Sequence, residues 1–502
     1  MNFRFREYFS WERVAIALLF LAGILLRLRQ YLTGRSLWSD EAMLALNIVN
    51  RNFGNLLKPL DYDQGAPVGF LEVEKLFQLL LGRSEYALRL LPFFMGVLSI
   101  WLFYLLLNRV TTGAGLMAAL ALFVFNPRLI YYSSEVKQYI VDVVVTLALL
   151  LVAAPLLESK IQKRNLIWLA VAGLFALWFS HPAVFVLAGI GLTLAILCLE
   201  KRDITNLWYV LGVGLFWLAT LGLLYLLILK DIQQNAYMQE YWQGAFLPFP
   251  PWSDPAWFKA SLTGNIGVQF GISYAVYFVF GLMLAGWFIL WQTRRNYAIA
   301  FGLILLVTLL ASTVRLYPVL ERMILFLIPI GLILLGKDVE FLDQKLRNPR
   351  WLGRIAALAL TVFLIFGPLV TSAGYFLKPK YYEHIRPSMS VLQESWHPGD
   401  AIYVSNGAMP AFEFYAPVYG LASADYISNV RADYKDPVKI SRQLESLKGK
   451  SRVWILMSHV YEQGNFNEKN FIINNLKQSG KLKREFRVPG TSVYLYLFDL
   501  QQ

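Results

Sequence analysis

Long apolar stretches separated by short polar hinges run through this chain from Val14 to Phe376. A bilayer core of about 30 Å takes about 20 apolar residues per helical crossing. Windows of that length predict spans near residues 12–32, 86–107, 112–130, 138–157, 165–181, 183–199, 206–229, 268–291, 297–314, 319–336 and 352–376. The fold class is therefore an α-helical polytopic membrane protein with about eleven transmembrane helices. From Tyr381 the pattern becomes that of a soluble chain: AIYVSNG, SRVWILMSHV and TSVYLYLF read as strands, and the stretches around Val391, Ile440 and Phe471 read as helices. The expected division is a transmembrane domain over 1–379 and a small α/β domain over 380–502, which is within the usual size of a domain.

Composition narrows the class. The 502 residues are 57% hydrophobic, 15% aromatic and only 16% charged, so most of them belong in lipid. The net charge of +13 is not gathered on one face. It falls in short clusters between apolar runs: Arg109, then Lys160, Lys163 and Arg164, then Lys201 and Arg202, then Arg294 and Arg295, then Lys337, Lys345, Arg347, Arg350 and Arg354. That is the signature of the positive-inside rule rather than of a nucleic-acid partner, and it predicts a plasma (inner) membrane protein whose N-terminus is cytoplasmic. An odd number of spans then places the C-terminal domain outside. Arg4, Arg6 and Arg13 precede an apolar run that ends at Arg27 and Arg29 without a small-residue cleavage site, so this run reads as a retained first span. One cysteine, Cys198, excludes an internal disulfide framework or cysteine zinc site, and four scattered histidines argue against a histidine metal site. No glycine-rich phosphate loop follows a predicted strand, which leaves nucleotide binding unsupported.

With this orientation the outer segments 33–85, 131–137 and 230–267 collect the candidate chemistry. The last, YWQGAFLPFPPWSDPAW, has the aromatic density of a membrane interface. Asp40 and Glu41 lie just past the first span, before the amphipathic EAMLALNIV. Ser39 or Asp40 can serve as a helix N-cap with Glu41 favouring the first-turn dipole. Alternatively Asp40 is a general base, shielded by lipid and Trp38 so that its basicity is raised. In YYSSEVKQY, helical spacing sets Tyr132 and Glu135 on neighbouring faces with Tyr139 a turn beyond, and Lys137 either snorkels or neutralises a phosphate. In VRLYPVLERMILFLIP, Arg315 is interfacial, whereas Arg322 lies inside the tenth span, paired with Glu321 or used in function. Arg27 and Arg29 raise the same question. His181, before Pro182, reads as structural.

Three stretches carry a family resemblance: LWSDEA, the Asp63–Gly69 segment DQGAPVG, and LGRSEYALRLLPFFMGVLSIWLFY. They resemble the opening region of the bacterial relatives of protein O-mannosyltransferases, which include the lipid A aminoarabinose and galacturonic acid transferases. YSSEVKQY and PVLERMILFLIP are similar to later signatures of that family, and HPGDAIYV and FEFYAP match it loosely. The resemblance implies a GT-C fold with two interfacial helices in the first outer loop. It implies a donor sugar on a polyprenyl phosphate, transferred with inversion to an extracytoplasmic lipid, glycan or protein. Asp40 would be the base and Glu41 would orient donor or acceptor. Lys137, where relatives commonly carry Arg, would bind the donor phosphate with Arg322 and Tyr139, while Glu135, Asp63 and Glu85 are further site candidates. No cofactor is required, although Asp61, Asp63 and Glu85 leave a divalent cation open. The rival readings are a transporter or flippase, against which the outer-loop acids and the lack of repeated halves argue, and a polymerase or ligase of lipid-linked glycans.

Overall fold

The computed structural model describes residues 11–345, 349–422, 424, 426–428 and 436–501; Arg4, Arg6 and Arg347 lie outside the described residues. Among the described residues, six helical stretches of 18 residues or more are apolar enough to cross a membrane by length and composition: Glu85–Val110, Tyr139–Glu158, Ala183–Glu200, Ile204–Gln234, Val276–Thr313 and Trp351–Leu377. The remaining predicted spans appear as the charge-bearing helix Trp11–Tyr31, the shorter helices Gly113–Val124 and Lys163–Phe179, and Ile328–Lys345. Residues 276–313 form a hairpin rather than one rod. The chain turns at Arg294 (φ −145, ψ 57), and Trp287 Nε1 donates to the Ala298 carbonyl across the fold at 3.0 Å. Its two limbs match the predicted spans 268–291 and 297–314.

Two breaks matter for the site. Helix Gly113–Val124 stops short because Pro127 disfavours helical conformation at Asn126. The Asn126 side chain then accepts from Arg128 N (3.0 Å) and Leu129 N (2.9 Å), starting the short helix Pro127–Tyr132 in a new direction. That helix ends at Tyr132 and the next begins at Tyr139. The intervening residues 133–138 are not helical, contrary to the helical spacing expected for Tyr132, Glu135 and Tyr139. Similarly, Ile328–Lys345 is preceded by a 3-10 segment, Glu321–Leu327, so Arg322 sits ahead of the span rather than within it.

Between the first two crossings lie the helices Ser39–Asn50 and Val68–Leu81. The C-terminal domain packs on them. Its five-stranded sheet runs in the order 426–428, 401–404, 453–457, 494–499, 481–487, with the first three strands parallel and the last two antiparallel. Strands Ala401–Val404 and Val453–Met457 are buried on both faces, as their continuous apolar runs require. One face, with Tyr403 and Ile455, packs on Ile440, Leu444, Ile472 and Leu476. The other, with Ile402, Val404 and Trp454, joins Phe412, Leu44, Ala45 and Phe70 in a single core. Helix Ser39–Asn50 thereby shares a core with the C-terminal sheet.

Candidate active site

Burial of one apolar face fixes helix Ser39–Asn50, with Leu44, Ala45 and Ile48 inaccessible to solvent. Neither Ser39 nor Asp40 caps it: Trp38 is the N-cap and makes no side-chain cap bond. Glu383, which follows the last span, does this work from a distance, its Oε2 accepting from Ser39 N at 3.0 Å. Asp40 and Glu41 are left free for other partners, and adjacent positions on a helix face different ways.

Asp40 faces a 620 Å³ cavity lined by residues 38–43 and 63–65, residues 137–139, the 232–242 segment, Arg322 and the C-terminal domain. Its Oδ1 accepts from Lys137 Nζ at 2.9 Å, and Gln64 bridges the two, its Oε1 accepting from Lys137 Nζ at 2.6 Å. Arg322 Nη2 is 3.0 Å from Asp40 Oδ2, yet the contact is one of charge rather than hydrogen-bond geometry, since Oδ2 has no hydrogen-bond partner. The Arg322 guanidinium lies among three rings, Tyr139 at 5.6 Å, Trp242 at 5.8 Å and Trp38 at 5.9 Å, an arrangement that stabilises a cation over aromatic faces. Glu321 is not its partner.

Electrostatics reverse one expectation. Burial pushes the Asp40 carboxyl up, but the neighbouring Lys137 and Arg322 outweigh it and hold Asp40 well below the usual carboxylate range. Basicity is thus lowered in this state rather than raised. Burial lowers the Lys137 ammonium despite the opposing field of Asp40.

The other candidates disperse. Glu41 is inaccessible and forms a two-pronged pair with Arg89, Nε–Oε1 3.0 Å and Nη2–Oε2 2.7 Å; it also accepts from Val136 N at 2.9 Å. Glu41 therefore positions the 133–138 segment that carries Lys137. Glu135 is buried off the cavity, accepting from Trp38 Nε1 at 2.8 Å, with burial and the Glu41 charge pushing it up to about 7. Asp63 lines the cavity and accepts from Asn235 Nδ2 at 2.7 Å. Glu85 lies at the domain seam, accepting from Tyr415 Oη (2.7 Å) and Arg386 Nη1 (3.0 Å). Asp61 pairs with Arg51 at 2.9 Å. Asp61, Asp63 and Glu85 thus have separate partners, and among the described residues no group of three or more His, Cys, Asp or Glu side chains is placed to hold a metal ion. Arg27 is buried and donates to the Gly23 carbonyl at 3.1 Å, and Arg29 to that of Phe376 at 3.1 Å; neither reaches the cavity.

Residues outside the sequence-based set also line it. His181 forms part of the wall. Gln64 lies within the quoted DQGAPVG segment but carried no signal of its own. The C-terminal domain contributes Asn406, Gly407, His459 and Glu462. His459 Nδ1 contacts Glu383 Oε1 at 2.8 Å, and that bond raises the imidazole above its ordinary value. Gly407 is required here, because a Cβ would come within 2.3 Å of the Ser458 carbonyl.

No family model and no curated protein sequence matches the chain. Solved structures do match in shape. ArnT from Cupriavidus metallidurans, bound to undecaprenyl phosphate, superposes with a TM-score of 0.55 at 13% identity, over 97% of this chain and 98% of that one. The archaeal oligosaccharyltransferase AglB from Archaeoglobus fulgidus, in complex with an inhibitory peptide and a dolichol-phosphate, gives 0.55 at 10% identity over 98% and 74%. A second structure of the Archaeoglobus fulgidus oligosaccharyltransferase, with Zn and sulfate, gives 0.53 at 10% over 88% and 67%. The chain has the polytopic GT-C fold of these proteins, as the resemblance in its opening region implied.

Proposed function

We propose that this protein is an inverting glycosyltransferase that moves a monosaccharide from a polyprenyl-phosphate carrier to an extracytoplasmic acceptor, from the plasma (inner) membrane, with its N-terminus cytoplasmic. The observation that carries this reading is Asp40, held at the wall of the cavity by Lys137 and Arg322. A carboxylate with two cations at a cavity suits a reaction whose donor leaves as a phosphate and whose acceptor must lose a proton. The fold shared with ArnT, solved with undecaprenyl phosphate, supports a lipid-phosphate donor.

The donor phosphate competes with Asp40 for Lys137 and Arg322. As the cations turn to the phosphate, the field that depresses Asp40 weakens and its basicity returns. The acceptor oxygen (or nitrogen) then forms a bond to the anomeric carbon from the face opposite the phosphate. The anomeric C–O bond breaks with its electron pair going to the polyprenyl phosphate, and the acceptor proton passes to the Asp40 carboxylate. The leaving phosphate is stabilised by the two cations, so it needs no proton. Glu41, through Arg89 and Val136 N, is a positioning residue. Asp40→Asn keeps shape and removes the base: transfer in proteoliposomes supplied with polyprenyl-phosphate sugar should fall by about 10²- to 10⁴-fold. Turnover near wild type in a folded variant refutes the assignment.

A further inference from the structure

We propose that the cavity wall formed by helix Ala236–Tyr241 and the 459–462 loop is a saccharide subsite, so that the acceptor is a glycan presenting a neutral or amino sugar. This rests on the transferase reading and specifies its second substrate. Tyr237 and Tyr241 are one helical turn apart, their rings inclined by 22° with centroids 6.2 Å apart. Trp242 meets Tyr241 edge-on at 5.1 Å and closes the corner toward Arg322. These tyrosines remain 36% and 60% exposed, whereas Tyr132 and Tyr139 on the cation side are buried. Exposure here is not that of a membrane anchor: Phe249 and Trp252, 77% and 79% exposed, lie off the cavity and suit that role, while Tyr237, Tyr241 and Trp242 line it.

Beside the rings stand the exposed carboxylates Glu240 and Glu462 and the amide of Asn406. A sugar ring offers a face of weakly positive C–H groups to an electron-rich aromatic face, and a rim of hydroxyls to carboxylate and amide acceptors. The wall supplies both halves of that chemistry. It also selects against anions: Lys137 and Arg322 are paired with Asp40 and, in the donor complex, would turn to the donor phosphate, so an acidic acceptor would meet Glu240 and Glu462 without compensation. Trp242, edge-on to Tyr241, lies 5.8 Å from the Arg322 guanidinium, which in turn contacts Asp40, so a sugar stacked on this wall lies toward the proposed base.

The test needs no donor. Full-length protein in nanodiscs is applied to an array of neutral, amino and acidic glycans together with unmodified peptides. Retention on neutral or amino glycans, reduced tenfold or more by Tyr241→Ala, kept by Tyr241→Phe and unchanged by Trp252→Ala, supports the subsite. The proposal is overturned by preference for acidic glycans or peptides, by no glycan retention, or by retention indifferent to Tyr237→Ala and Tyr241→Ala. Polyprenyl-phosphate binding, measured separately, tests the transferase reading, so the two fail independently.

Discussion

Two acid–cation clusters start from neighbouring residues and end in opposite states. Around Glu41 every group is satisfied: both carboxylate oxygens accept from Arg89, and Arg89 also donates to the carbonyls of Arg35 (2.6 Å) and Ser36 (3.3 Å). The pair is 0–1% exposed. Around Asp40, Oδ2 and Arg322 Nε lack hydrogen bonds, and the pair is 19% and 12% exposed at a cavity. Burying charge is tolerable when all its hydrogen bonds are made. Where they are left open beside a cavity, the unspent capacity is available to a ligand. Saturation thus separates an acid that holds the fold from the one proposed as the base, a distinction that sequence adjacency hides.

The comparison breaks most readily at the arginines. Arg89→Met strands a buried carboxylate and should cost about 3–5 kcal/mol, read as a large loss of thermal stability in detergent. Arg322→Met leaves Lys137 on Asp40, so its cost should be roughly 1–2 kcal/mol. Equal losses would erase the contrast. The effects should invert for ligand: Arg322→Lys keeps charge but loses the planar fork, and affinity for polyprenyl phosphate should fall about tenfold, or about 1.4 kcal/mol. Lys137→Ala should weaken the same binding. Unchanged affinity in both variants removes these residues from the donor site.

Legibility followed the same division. The spans were readable because a bilayer imposes one length and one polarity on each crossing, and the two limbs folded at Arg294 were separated correctly by the basic pair between them. The strands at 401–404 and 453–457 were readable as buried apolar runs. What the pattern could not show was convergence. Asp40, Lys137 and Arg322 were each visible as charges near the membrane, but their meeting depends on the break at Asn126–Pro127 and the 3-10 turn at 321–327. The same loss of helix removed the spacing argument for Glu135 and Tyr139. Gln64, Glu383 and His459 had no local signal: Gln64 acts by bridging Asp40 and Lys137, far apart in sequence, and Glu383 and His459 meet only when the C-terminal segment packs.

A smaller effect sharpens the comparison through pH. Glu135 sits between the clusters with its carboxyl raised from an ordinary 4.5 to about 7, first by burial and then by the Glu41 charge. Its folded form holds the proton more tightly than the unfolded chain does. The stability this gives is complete below about 4.5 and is lost as pH rises through about 7. Glu135→Gln should flatten that decline, by on the order of 1 kcal/mol, when thermal unfolding is compared at pH 5 and pH 8. A variant as pH-dependent as the wild type over that window would show that Glu135 is ionised in the folded protein.

The least costly change is at Glu383, which touches both the Ser39–Asn50 helix and the 459–462 loop. One oxygen caps Ser39 N and the other holds His459, linking the C-terminal domain to the helix that carries Asp40. Glu383→Gln retains an oxygen for the cap but removes the charge that, with Asp40 and Glu468, faces the imidazole. The loss should be about 1 kcal/mol or less, as for a weakened cap. His459 is raised above 6.5 in the folded state, so its contribution is present below 6.5 and disappears as pH rises through the raised value. The stability difference between Glu383→Gln and wild type should accordingly be larger at pH 6 than at pH 9. A difference equal at both would mean that Glu383 acts on the helix through Ser39 alone, and that His459 plays no part in fixing the domain over the cavity.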